Sequence, residues 1–193
     1  MNDVDAVETY EIRFAGSGGQ GLQLSATILA STLNRAGLLV AQSQSYEPTS
    51  RGGFSRADLV FGERIADYPL VTRLDYLVAL DQYGVDRSLD FLADATVVLA
   101  DAALVTHLPD REISDLRSLP FTETAVRLGN KRVANIVALG ALIGLGGIAD
   151  YETLVEAVRA GVPPRFLDLN LEAVERGHGM TAEEDALVGS GAP

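Results

Sequence analysis

Short apolar runs alternate with segments of helical spacing along the first hundred or so residues, and that alternation predicts βαβ units. Tyr10–Ala15 reads as a strand running into glycines. Gly21–Ala36 places Leu24, Ile28, Leu29 and Leu33 at helical spacing, and Gly37 ends that helix. Leu38–Gln42, Asp58–Phe61, Tyr76–Leu80 and Thr96–Ala100 read as four further strands. Runs such as Val97-Val98-Leu99 are short and β-branched, as in a parallel sheet buried on both faces. From Asn130 the pattern turns helical. Val133, Ile136, Val137, Leu139 and Leu142 leave hardly any polar face, so this helix belongs to the core or to a subunit contact. Tyr151–Ala160 and Leu169–Arg176 predict two closing helices. The expected fold class is α/β, Rossmann-like, with a mostly parallel sheet and helices on both faces. One domain over residues 10–176 is expected between a flexible N-terminus (1–9) and a small, acidic, flexible tail (177–193).

Composition narrows the chemistry. The 193 residues are 47% hydrophobic with a mean hydropathy of +0.15, enough for a sizeable core. Fifteen basic against 27 acidic residues give a net charge of −12, which repels nucleic-acid phosphates and anionic lipid, so neither is an expected partner. The chain has no cysteine, which excludes disulfides, iron–sulfur clusters and thiolate zinc sites within it. His107 and His178 are far apart in sequence, and no metal site is expected. Met1–Glu8 carries Asp3, Asp5 and Glu8 and no basic residue, unlike a signal or transit peptide. The apolar run near Val133–Ile148 is shorter than the roughly 18 residues of a membrane span and is broken by glycines. A cytoplasmic protein is expected.

Two clusters carry the candidate chemistry. The first is Gly16-Ser17-Gly18-Gly19-Gln20-Gly21, between a predicted strand and a predicted helix. It places backbone N–H groups at a helix N-terminus, where an anion is favoured, and its glycines admit positive φ and close approach. Gly16, Gly18 and Gly21 satisfy GxGxxG, so a dinucleotide site is one reading. Against it, the end of the second strand carries Gln42, Ser43 and Gln44 where a ribose-binding acid belongs. No Gly-Lys-Ser/Thr follows, which disfavours a P-loop. A ligand-free strand-to-helix turn is the plain alternative.

The second cluster runs from Gln44 to Arg56 and contains Ser45, Tyr46, Arg51, Gly52, Gly53 and Arg56. In a doubly wound sheet it lies at the same end as the first, so the two loops should share one crevice edge. Arg51 before two glycines suits a carboxylate or phosphate. Arg56 either joins it or pairs with a local acid such as Glu47 or Asp58. No nucleophile elbow is present, and Asp75, Asp81 and Asp101 at strand ends read as loop and helix caps rather than as acids or bases.

Taken together the clusters resemble the gamma subunit, or gamma domain, of the 2-oxoacid:ferredoxin oxidoreductases, a family acting on pyruvate, 2-ketoisovalerate, 2-oxoglutarate, indolepyruvate and phenylglyoxylate. The resemblance rests on Gly16-x-Gly18-Gly19-Gln20-Gly21 and on Gln44-Ser45-Tyr46-x-Pro48-x-x-Arg51-Gly52-Gly53. It rests also on Pro69 ahead of the Asp75–Leu80 strand, and on the Asn130 helix with Gly140-Ala141-Leu142. It covers roughly Tyr10–Arg176. Glu47 and Thr49 stand where the family often has glycine and glutamate. The resemblance implies a Rossmann-like chain that binds no cofactor alone and is not catalytic alone. It packs beside alpha and beta subunits that hold thiamine diphosphate, magnesium and iron–sulfur clusters. It implies a 2-oxoacid substrate, ferredoxin or a ferredoxin-like subunit as electron acceptor, and coenzyme A as acyl acceptor in many members. The site residues it implies are Gly16, Gly18, Gly19, Gln20, Gly21, Ser45, Tyr46, Arg51, Gly52, Gly53 and Arg56, on a surface that docks and that contacts coenzyme A. Two alternatives stay open: a stand-alone NAD(P)-dependent oxidoreductase, and a non-enzymatic binding module.

Overall fold

The computed structural model describes residues 9–47, 52–64, 70–110 and 112–189. Among them, six strands form one sheet in the order β2-β3-β1-β4-β5-β6. These are β1 (Thr9–Ser17), β2 (Leu39–Tyr46), β3 (Phe54–Gly62), β4 (Tyr76–Ala79), β5 (Val97–Asp101) and β6 (Asp115–Leu119). The helices are α1 (Leu22–Arg35), α2 (Gln82–Asp86), α3 (Phe121–Arg127), α4 (Ala134–Gly144), α5 (Tyr151–Gly161) and α6 (Leu167–Gly189).

The expected mostly parallel α/β sheet is present, with one reversal. β4, β5 and β6 follow β1 in parallel, but β3 is antiparallel to both β1 and β2. Residues 47–53 are too few for a crossover of about a dozen residues, so β2 and β3 close as a hairpin. β3 then inserts between β2 and β1. The pattern of apolar positions shows a strand but not its direction. It also missed β6, whose Asp115 and Arg117 pair at 2.8 Å on a sheet edge, and the short helices α2 and α3.

Both faces of the sheet are covered, unequally. Ile12, Phe14, Leu59, Phe61, Val78 and Leu99 face a thick layer of α1 and α3–α6. Ala15, Val60, Leu77, Ala79 and Val98 face a thin one, made of α2, the turn at Leu89–Phe91 and the segment around Val71–Leu74. On the thin side Arg13 is fully buried. It donates to both carboxylate oxygens of Asp58, at 2.8 and 2.9 Å, with its guanidinium 4.2 Å from the centre of the Phe91 ring.

α4 resolves the question left by its missing polar face: Ala134–Ile143 are all buried, and the helix lies in the core against α6. That packing also corrects the expected boundary at Arg176. The segment from Gly177 is expected to be a flexible tail, yet α6 continues through Gly177 and Gly179. A Cβ on Gly177 would collide with the Val137 carbonyl. One on Gly140 would strike the Val174 carbonyl, and one on Gly144 would strike Thr181 and the His178 carbonyl. Glycine is there because the two helices nearly touch, and Thr181, fully buried, donates to the Ala141 carbonyl at 2.9 Å. At the other end Thr9 already pairs with Gly62, so β1 opens inside the expected flexible segment, whose residues 1–8 lie outside those described. No described helix is long and apolar enough to cross a membrane.

Candidate functional site

β1 extends two residues further than its apolar run suggests, because Gly16 and Ser17 pair with Ser55 and Phe54 of β3. This brings the first glycine loop against the β2–β3 hairpin, and the Gly18 N–H donates to the Gly53 carbonyl at 2.9 Å. The two glycine loops therefore lie at one end of the sheet and are bonded to each other. A side chain at Gly18 would stand 3.7 Å from that carbonyl, and Gly19, Gly21 and Gly52 have positive φ of 97°, 76° and 75°.

The neighbouring loops are tied in series around the same rim. The Gln20 amide accepts from Ser17 N–H at 2.6 Å and donates to the Leu80 carbonyl at 2.9 Å, joining β1 to the end of β4. The Ser17 hydroxyl donates to Asp81, whose other oxygen accepts from Tyr83 N–H at 2.9 Å and caps α2. Gln82 accepts from Thr106 and His107 N–H, each at 2.9 Å, joining β4 to the loop after β5. Asp101 accepts from Ala103 and Thr122 N–H, each at 2.8 Å, joining β5 to α3. Asp75, at the far end, accepts from Glu11 N–H at 2.7 Å, and burial raises its carboxyl above the ordinary value. The three strand-end aspartates are thus caps and ties, as their positions suggested.

The sequence places backbone N–H groups of this loop at a helix start suited to an anion; in the structure those of Ser17, Gly18 and Gln20 bond inside the protein. Capacity for an anion lies one layer further in. α1 begins without a side-chain cap, and α4 continues the short turn Lys131–Val133, where the Asn130 side chain accepts from Arg132 N–H at 3.1 Å. Neither α1 nor α4 has an acid in its first turn, whereas α3, α5 and α6 carry Glu123, Glu152 and Asp168 there. Amino ends without an acid present the positive end of the helix dipole. A cleft of about 210 Å³ joins the approaches to both, lined by Gly19, Gln20, Leu80, Leu104, Thr122, Lys131, Arg132 and Ala134. Lys131 and Arg132 are exposed, and neither pairs with an acid among the described residues. Sequence reading missed both, although a signal existed: Lys131 is the only lysine in the chain, beside an arginine and just ahead of the most apolar helix.

Of the residues expected at the site, Gly19 and Gln20 line the cleft, and Gly16, Gly18 and Gly53 hold the rim. Gly21 sets the start of α1, and Gly52 turns the hairpin. Ser45, paired in register with Arg56, and Tyr46, paired with Ser55, sit on the hairpin strands away from the cleft. Arg51 lies outside the described residues. Arg56 stands 3.6 Å from Asp58, the local pairing weighed for it, but Asp58 already holds Arg13. Glu47 accepts from Phe54 N–H at 3.3 Å and stands 3.4 Å from Arg87. Two larger hollows, of about 330 and 460 Å³, lie along α6. Their arginines face acids, Arg127 to Glu123 at 2.7 Å and Arg176 to Glu172 at 3.6 Å, which leaves no surplus charge for a ligand.

The dinucleotide reading loses its geometry here. Its acidic ribose partner belongs at the end of the strand next to β1, and β3, running backwards, occupies that place.

Comparison with known proteins supplies the context. Residues 11–180 match the family described as pyruvate ferredoxin/flavodoxin oxidoreductase. The 2-oxoglutarate synthase subunit KorC of Methanothermobacter thermautotrophicus is 36% identical over 181 residues, covering 90% of this chain and 95% of KorC. The ketoisovalerate oxidoreductase subunit VorA of the same organism is 34% identical, but only 37% of its length is matched. The crystal structure of the keto/oxoacid ferredoxin oxidoreductase gamma subunit of Geobacter sulfurreducens superposes with a TM-score of 0.81 at 37% identity, covering 92% of this chain and 98% of that one. A 2-oxoglutarate:ferredoxin oxidoreductase chain from Magnetococcus marinus, solved with 2-oxoglutarate, coenzyme A and succinyl-CoA, superposes with a TM-score of 0.80 at 25% identity, with 31% of its length matched. The chain belongs to the pyruvate ferredoxin/flavodoxin oxidoreductase family, as a gamma-type subunit of the 2-oxoacid:ferredoxin oxidoreductases.

Proposed function

We propose that the stitched rim docks this chain beside the thiamine-diphosphate centre of alpha and beta partner subunits, and that the Lys131–Arg132 cleft receives the phosphate-bearing end of coenzyme A. The observation that carries the second half is the convergence, at the approaches to one cleft, of two helix ends without a first-turn acid and of two cations that pair with no acid among the described residues, in a chain of net charge −12. Backbone N–H groups, a lysine point charge and an arginine fork are what a diphosphate requires. Leu80 and Leu104 add an apolar wall. At about 210 Å³ the cleft is smaller than the roughly 300–1,000 Å³ that encloses a whole ligand of drug size. It therefore grips one end of the molecule, and the remainder lies against the partner.

The docking surface in this proposal comprises Gly16, Gly18, Gly19, Gln20 and Gly21 of the first loop, with Ser45, Tyr46, Arg51, Gly52, Gly53 and Arg56 of the hairpin. Thiamine diphosphate, held with magnesium by the partner subunits, supplies the electron sink for decarboxylation of the 2-oxoacid. Iron–sulfur clusters, where the partners hold them, would supply the route for electrons toward ferredoxin. This chain's residues bind, orient and exclude water; they take no part in bond making. The KorC relatives make 2-oxoglutarate the first substrate to try, and the absence of any membrane-crossing helix among the described residues agrees with a cytoplasmic site.

The test is co-expression with the neighbouring alpha- and beta-type genes, followed by dye reduction with a panel of 2-oxoacids. The assembled complex is expected to reduce dye with 2-oxoglutarate and coenzyme A, and the purified chain alone to reduce none. Failure to co-purify, or tight binding of NADH by the chain alone, overturns the proposal.

A further inference from the structure

We infer that Asn135 is a positioning residue, which holds the amino ends of α1 and α4 at a fixed separation and thereby sets the grip of the cleft between them on a phosphate-bearing ligand. The inference rests on the coenzyme A reading above and names the part of the fold that would tune it.

Asn135 is 2% exposed and is the one polar side chain in Ala134–Gly144. An asparagine at a helix start commonly caps its N–H groups, as Asn130 does in the turn before α4, where it accepts from Arg132 N–H at 3.1 Å. Asn135, inside α4, reaches to another helix. Its Nδ2 donates across to the Gly21 carbonyl and to Ser25 Oγ of α1, each at 3.0 Å. The fully buried Ser25 hydroxyl donates back to the Asn135 backbone carbonyl at 3.1 Å. The fit on the α1 side is close, since a Cβ on Gly21 would lie 2.7 Å from Nδ2. Apolar packing alone would hold α4 in the core without a buried amide. What the amide adds is a defined spacing between two helix starts.

That spacing governs the cleft. Gly19 and Gln20 lead into α1, and Lys131, Arg132 and Ala134 lead into α4. A ligand that bridges the two sets binds best when they are already placed, because positioning them is then not charged against binding.

The experiment uses the chain assembled with its catalytic subunits. The Kd for coenzyme A is measured by calorimetry, KM and kcat by 2-oxoacid-dependent dye reduction, and Tm on the same samples. Asn135→Ala is expected to weaken coenzyme A binding by about tenfold through two lost hydrogen bonds, with kcat at saturating coenzyme A within about twofold. Ser25→Ala, which loses both hydroxyl bonds but keeps the Gly21 bond, is expected to weaken it by about threefold, and the double variant, which loses all three bonds, to be weakened by less than the product of the two single effects, since the bonds form one network. Asn135→Asp, which loses the donor and adds a negative charge, is expected to bind more weakly than Asn135→Ala. Should Asn135→Ala fail to assemble, Ser25→Ala carries the test. Lys131→Ala separates the two layers of the proposal. If it weakens binding while the Asn135 and Ser25 variants change only Tm, positioning is overturned and the cleft reading stands. If Lys131→Ala leaves Kd unchanged, the cleft reading itself falls, and positioning with it.

Discussion

Glycine does two different jobs in this chain. At the rim, Gly19, Gly21 and Gly52 let backbone turn into positive φ, and Gly18 lets one loop bond to another through the Gly53 carbonyl. In the α4–α6 pair, Gly140, Gly144 and Gly177 sit in ordinary helix, where the missing side chain lets two backbones approach. The rim is held by polar ties between loops, and the helix pair by close packing of small residues. Dense glycine is therefore no marker of a ligand site by itself. What singles out the proposed site is cationic charge that pairs with no acid among the described residues, beside helix ends without a first-turn acid.

The largest effect should come from the helix pair. Gly177→Leu drives a side chain into the Val137 carbonyl; overpacking of this kind costs about 3 kcal/mol or more. At this chain length Tm is expected to fall by about 6–12 °C; a Tm within 2 °C of the parent, or roughly so on that scale, would show that the helices are not in close contact. Gln20→Ala removes two rim ties, and about 1–2 kcal/mol of stability is expected to go with them. Its greater effect should be on assembly with the catalytic subunits, read by co-purification, because the loop that docks loses its fixed shape. Lys131→Ala sharpens the contrast from the other side: Tm is expected to move by less than about 0.5 kcal/mol in equivalent stability, while the KM for coenzyme A rises about tenfold.

The smallest effect concerns the far end of the sheet. Burial raises the Asp75 carboxyl above the ordinary 3.8. In the pH range just above that value the folded chain binds the proton more tightly than the unfolded chain, so stability falls as pH rises through the folded pKa. Asp75→Asn keeps an acceptor for Glu11 N–H and removes the charge. Its Tm advantage over the parent should be greatest near neutral pH and should close as pH falls toward 3.8, as a pair of melting series would show.

Much of the fold was legible in local pattern. Five of the six strands, the long helix α1 and the buried character of α4 follow from apolar spacing, which reports burial one segment at a time. β6 was not legible, because an edge strand carrying Asp115 and Arg117 has little apolar signal. The length of α6 was not legible, because the small and polar residues from Gly177 onward carry little apolar signal, while close packing of Gly177 on α4 is a tertiary contact. At the site, the two glycine loops were legible as motifs. Lys131, Arg132 and Asn135 were not, since each lies more than a hundred residues from the loop it faces.

The amino-acid sequence by itself determined which segments are strands and helices, how acidic the surface is, that no thiol chemistry resides in this chain, and where backbone can turn sharply. Those are local properties, set by residue type and spacing. Only the tertiary structure decided that β3 runs backwards between β2 and β1, that the amides of Ser17, Gly18 and Gln20 bond to their neighbours, and that the approaches to two helices without a first-turn acid meet the chain's sole lysine at one cleft. Direction and convergence depend on how long connections close and which surfaces then pack, and no single stretch of residues contains that information.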